Sequence, residues 1–132
     1  MLQCDFCYMI SPAMFDEFIK PELSETCRRL DHPFYHLDGP GQLPHLDSLL
    51  SIEDLSGVQW VPGDGQPGLT EWPEVYRKIQ KAGKRIQLWG GFNTLDKLVE
   101  QLGSPAGIVI MISAHVSQEE EAKAFLRKYG AL

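Results

Sequence analysis

Hydrophobic and polar positions along this chain switch between two periods. Short apolar runs that read as strands are each followed by stretches in which apolar residues recur every three or four positions, the mark of a helix with one buried face. The first run is Leu2 to Ile10, after which Ser11-Pro12 opens a helix, because a serine cap and a proline in the first turn sacrifice no backbone hydrogen bond. Met14, Phe15, Phe18 and Ile19 give that helix an apolar stripe continued by Leu23, Cys27 and Leu30, with a kink or division at Pro21. A second strand is predicted at 33–37, a short helix at 43–50 and a third strand at 57–61. Thr70 is expected to cap a helix faced by Trp72, Val75, Tyr76 and Ile79, with Gly83 as its left-handed stop. The fourth strand, 85–89, leads into a helix capped by Thr94 and ended by Gly103. The fifth, 107–112, is apolar from Ile108 through Ile112 and is expected to be buried on both faces. Ser117 and Glu120 form the expected capping box of a last helix whose inner face is Ala122, Phe125, Leu126 and Tyr129.

Strand centres recur at roughly 22 to 29 residues, about one βα unit each. Alternation without a hairpin signal predicts an α/β fold with a parallel sheet of four or five strands in one domain, 1–132. Composition narrows the function. Twelve Lys and Arg against 18 Asp and Glu give a net charge of −6, which argues against non-specific nucleic-acid or anionic-membrane binding. No apolar stretch approaches the roughly 20 residues of a membrane helix, and no signal peptide is expected at the start. Three cysteines, Cys4, Cys7 and Cys27, fit a reducing cytoplasm better than a disulfide scaffold.

In parallel α/β folds chemistry gathers at the carboxyl ends of the strands. There His36 and Asp38 lie two positions apart, so both side chains leave the same face of the strand. Such a pair can share a metal, act as a base with its orienting partner, or simply hydrogen-bond. His115 follows the last strand, and a curled sheet would bring it to His36 and Asp38 as a third ligand for zinc or another divalent metal. Gly39, Trp60, Gly63, Asp64, Trp89 and Gly90 close neighbouring strands and are candidate ligand-binding residues: glycine lets a ligand approach the backbone, and tryptophan offers a flat wall. Cys4 and Cys7 are three apart in a predicted strand, which would turn their thiols to opposite faces; no metal or redox role is assigned to them. No Gly-x-Gly-x-x-Gly, Walker loop or Gly-x-Ser-x-Gly elbow is present, so nucleotide binding and serine hydrolysis have no support.

The stretch from Ile10 to Pro21, Ile-Ser-Pro-Ala-Met-Phe-Asp-Glu-Phe-Ile-Lys-Pro, resembles a segment of the uroporphyrinogen decarboxylase superfamily, which includes the cobamide-dependent methyltransferases. His36 to Gly39, the strand at 55–60 and Gly90-Gly91 follow in the same order. The resemblance implies a (β/α)8 barrel, of which this chain matches the carboxyl-terminal half from about the fourth strand to the eighth helix. Such barrels take about 250 residues. An open half leaves sheet edges uncovered, so the expected partner is a second copy or a separate amino-terminal half-barrel chain. In the methyltransferase branch a His-x-Cys pair and a later cysteine bind zinc, with a corrinoid as methyl donor. Here the matching positions are His36, Asp38 and His115, so the sulfur ligands are missing. The decarboxylase branch holds its substrate's carboxylates with arginines from the other half. Arg28, Arg29, Arg77, Arg85 and Arg127 fall in predicted helices or at a strand start. The expectation is a metal-assisted, methyltransferase-like subunit or fragment acting through His36 and Asp38; porphyrin decarboxylation and a non-catalytic remnant are the alternatives.

Overall fold

A computed structural model describes all of residues 1–132. Four strands, β1 (Phe34–Asp38), β2 (Gly57–Val61), β3 (Arg85–Trp89) and β4 (Ile108–Met111), form one all-parallel sheet in the order β1-β2-β3-β4. Each strand lies beside its predecessor, without the reversal of a doubly wound sheet. Crossovers of one hand taken always in one direction put every helix on the same face. The result is the arrangement of half a (β/α)8 barrel.

The alternation of side chains divides the sheet cleanly. Tyr35 and Leu37 of β1, Val58 and Trp60 of β2, and Ile86 and Leu88 of β3 point to the helices and are fully buried. They join Leu23 and Cys27 of α2 (Lys20–Arg28), Leu46 and Leu49 of α3 (Leu46–Leu50), Val75, Tyr76 and Ile79 of α4 (Pro73–Lys81) and Leu98 of α5 (Phe92–Leu102) in one core. The opposite face carries Phe34, His36, Asp38, Gln59, Arg85, Gln87, Trp89, Val109 and Met111, and no helix covers it. Its amino end is closed by the Phe34 ring, which lies where a Cβ on Gly57 would be, so β2 can pass only as glycine.

Several expectations are corrected. Leu2 to Ile10 is not a strand: Leu2 alone bridges to β1, and Asp5–Met9 coil into a 3-10 turn. The sheet therefore has four strands. The helix after Ser11 runs as α1 (Pro12–Met14), a π segment (Phe15–Ile19) and α2. The π segment precedes Pro21, which cannot supply the hydrogen bond an unbroken α-helix would require. It buries Phe15 but leaves Phe18 exposed, as is Met14 at the end of α1. Thr70 lies in a 3-10 turn ahead of α4 and does not cap it. Thr94 is the third residue of α5, not its cap; its Oγ1 accepts a hydrogen bond from Gly91 N–H at 3.0 Å. The cap near the last helix, α6 (Glu119–Lys128), is His115 with Gln118 in place of Ser117 with Glu120. β4 is not buried on both faces, because it is the sheet edge and Val109 and Met111 project from the open face. No helix is long and apolar enough to cross a membrane.

Candidate functional site at the carboxyl mouth

Strand register brings together what sequence separation keeps apart. His36 lies opposite Gln59, Gln59 opposite Gln87, and Gln87 opposite Val109, so a polar row crosses three strands on the open face. His36 Nδ1 is 2.5 Å from Gln59 Oε1, and Gln59 is itself buried. An amide oxygen can only accept, so with this amide orientation Nδ1 carries the ring proton and Nε2 keeps its lone pair. Nε2 points toward Asp38, whose Oδ2 stands 3.8 Å away. That separation is too long for a hydrogen bond. The ring is thus fixed at one nitrogen and available at the other. Gln87 continues the row with its Nε2 3.1 Å from Met111 Sδ.

Beyond Asp38 a polar cleft of about 380 Å³ opens at the ends of β1 and β2, lined by Asp5, Tyr8, Asp38, Gly39, Gly63 and Asp64 among others. Gly39 and Gly63 both adopt positive φ, +79° and +91°, conformations that side-chain-bearing residues resist. The Tyr8 ring lies against Gly41, in space a side chain there would fill. Asp64 Oδ1 accepts from Gly65 N–H at 3.1 Å, which tightens the second loop.

Asp38, Gly39, Gly63 and Asp64 therefore share one rim, with His36 set back beside Asp38 on the open face of β1. Trp60 does not, since it faces the helices, is fully buried and meets Trp72 edge-on at 5.1 Å. Trp89 does lie on the open face, half exposed. Gly90 serves packing, because a Cβ there would sit 2.9 Å from the Thr94 side chain. His115 is occupied elsewhere: its Nδ1 lies 2.9 Å from Ser117 Oγ and accepts from Ser117 N–H at 3.3 Å. No group of three His, Cys, Asp or Glu side chains stands close enough to hold a metal. His36 and Asp38 alone offer two donors where a catalytic zinc takes three protein ligands, so this chain does not complete the expected triad.

Gln59 and Gln87 were missed in the sequence, although a glutamine between two apolar residues in each of two strands is the signal that a polar row crosses the sheet. The thiols also depart from the expected strand geometry. Cys4 and Cys7 bracket a 3-10 turn, in which residues three apart superpose, and Cys7 N–H donates to Cys4 C=O at 3.1 Å. Burial, and after it the adjacent Cys4 thiol, push the Cys7 thiol up to about 12 against the opposing Tyr35 hydroxyl. Comparison with protein-family models, curated proteins and solved structures found no match to this chain.

Proposed function

We propose that this chain is a half-barrel subunit or fragment of the uroporphyrinogen decarboxylase and cobamide methyltransferase kind, which transfers a methyl group at the carboxyl mouth once a second half closes the barrel. The single observation behind this reading is the sheet with one sealed face and one open face, the open one bearing His36, Gln59 and Gln87 in register below Asp38. The seams support closure. Met14 and Phe18 beside the first helical turns and Val109 and Met111 at β4 are exposed apolar side chains, as two unmade interfaces would leave them.

The chemistry follows from the ring. An acceptor molecule in the cleft gives its proton to His36 Nε2; its freed electron pair bonds the methyl carbon, and the donor departs with the electrons of the broken bond. Gln59 holds the ring in the required tautomer, and Asp38 Oδ2 lies 3.8 Å from the nitrogen that takes the proton. The resemblance implies a methylcorrinoid donor and a divalent metal; a metal here would need a further ligand from the second half. Decarboxylation of a many-carboxylate substrate is less well supported. Arg28 and Arg29 pair with Glu25, and Arg77 with Glu74, on exposed helix surfaces, while Arg85 sits at the amino end of β3.

The test is demethylation of methylcobalamin by the purified chain, followed by absorbance with small thiols as acceptors and zinc supplied. Turnover is expected from an oligomer, and His36→Ala should lower it by about 10²-fold or more. An oligomer without turnover, or an active His36→Ala variant, would refute the reading.

A further inference from the structure

We propose that Cys4 and Cys7 are a redox pair that exchanges with small disulfides, with Cys4 as the entering thiol and Cys7 as the resolving one. The geometry is local and well anchored. The two cysteines bracket one 3-10 turn closed by the Cys7 N–H to Cys4 C=O hydrogen bond of 3.1 Å. That turn is pinned from beneath at both ends: Gln42 Nε2 donates to Cys4 C=O at 3.5 Å, and His45 Nε2 donates to Cys7 C=O at 2.8 Å. Neither cysteine is engaged in a disulfide.

The two thiols differ in access, which assigns their order. Cys4 is partly exposed, whereas Cys7 is 1% exposed and sits on the Tyr35 hydroxyl, 3.7 Å from its sulfur. A small disulfide can therefore meet Cys4 first. Cys4, having released its proton to solvent, attacks one sulfur of the reagent; a mixed disulfide forms and one small thiolate leaves. Cys7 then attacks the Cys4 sulfur, its proton passing to the second small thiolate as that group leaves, and the Cys4–Cys7 bond forms. Two protein thiols are oxidised and one external disulfide is reduced to two thiols. The Tyr35 hydroxyl, which lies 3.7 Å from the Cys7 sulfur and 3.4 Å from Gln42 Oε1, can turn its one proton to that sulfur and so oppose the burial that disfavours its charge. Cys27 takes no part, since it is buried between α2 and the sheet.

Oxidised glutathione is the probe. The folded chain is incubated with excess reagent, quenched with acid, unfolded, alkylated and mapped by mass spectrometry. The three thiols of the wild-type chain should fall to one, Cys27, with Cys4 and Cys7 joined within a single molecule. Cys7→Ser should stop at a glutathione adduct on Cys4, and Cys4→Ser should leave its two remaining thiols unmodified. The wild-type map decides even where a variant misfolds. A lasting adduct on Cys4, three free thiols, a bond to Cys27 or a Cys4–Cys4 bond between molecules would each overturn the proposal.

Discussion

Leu88 and Ile110 are partners across the β3–β4 ladder and point to the same, helix-covered face. Leu88 is fully buried, while Ile110 is only partly so. The contrast extends to whole regions: every buried residue lies at or before Leu98, and the last βα unit has none. Between β4 and the helices α5 and α6 lies an apolar cavity of about 720 Å³, lined by Ile108, Ile110, Phe125, Leu126 and their neighbours. The earlier strands each have a following strand whose helix completes their cover; β4 is the edge and has none. A βα unit in a half-barrel is thus only as well packed as the unit after it allows.

Truncating the two partners should expose this difference most strongly. Leu88→Ala empties a sealed site and is expected to cost about 2–5 kcal/mol, read from urea unfolding midpoints. Ile110→Ala enlarges a cavity already open and should cost about 1 kcal/mol, the share of its side chain that is out of water. Equal costs would mean that the cavity is closed in solution, by repacking or by a partner chain.

The same contrast explains what could be read from the sequence. β2 and β3 appear at their predicted residues because each alternates sharply, as in Val58-Gln59-Trp60 and Ile86-Gln87-Leu88. Gly83 and Gly103 end their helices at φ +71° and +80° as foreseen, since only glycine enters that conformation freely. The apolar run 108–112 resembles a strand buried on both faces, but nothing within the run states whether a neighbour exists to bury it. His36 and Asp38 were legible as a pair because period two is local. Gln59 and Trp60 were not, because which parity faces the mouth is set by register with β1, a property of two strands together. Cys4 and Cys7 were misread for a related cause: one bridge at Leu2 ends the pairing, and the chain coils where a strand was expected.

The well-packed region also carries the groups that should make stability depend on alkaline pH. Burial raises Cys7 from an ordinary 9.0 to about 12, and raises Cys27, Tyr35 and Tyr76 as well. Each group stays protonated in the folded chain at pH values where the unfolded chain has lost the proton. Their contribution is complete below about pH 9 and declines as pH rises toward 12, because deprotonation then favours the unfolded state. A fall on the order of a few kcal/mol is expected across that interval under reducing conditions. Cys7→Ala should give a shallower decline in the same titration; an unchanged slope would mean that Cys7 is not sealed.

The smallest effect belongs to the loose region. α6 is tied back to α5 through Asp96, which accepts from Lys128 Nζ at 2.8 Å and from the Tyr129 hydroxyl, beside the Phe92–Phe125 ring contact at 5.4 Å. The hydrogen bonds from Lys128 and Tyr129 hold the Asp96 carboxyl below its ordinary 3.8. A lowered carboxyl contributes its tie above that value and loses it as pH falls further, when the folded chain must take up a proton. These groups are largely exposed, so water and salt screen the attraction and global stability should barely change. Hydrogen exchange resolves it locally: Asp96→Asn should speed exchange of the 119–128 amides a few-fold and leave those of β1 to β3 untouched. Acidification below about pH 3.8 should bring wild-type α6 toward the variant once intrinsic exchange is corrected. Exchange that spread into β3 in the variant would show that the last unit is coupled to the core after all.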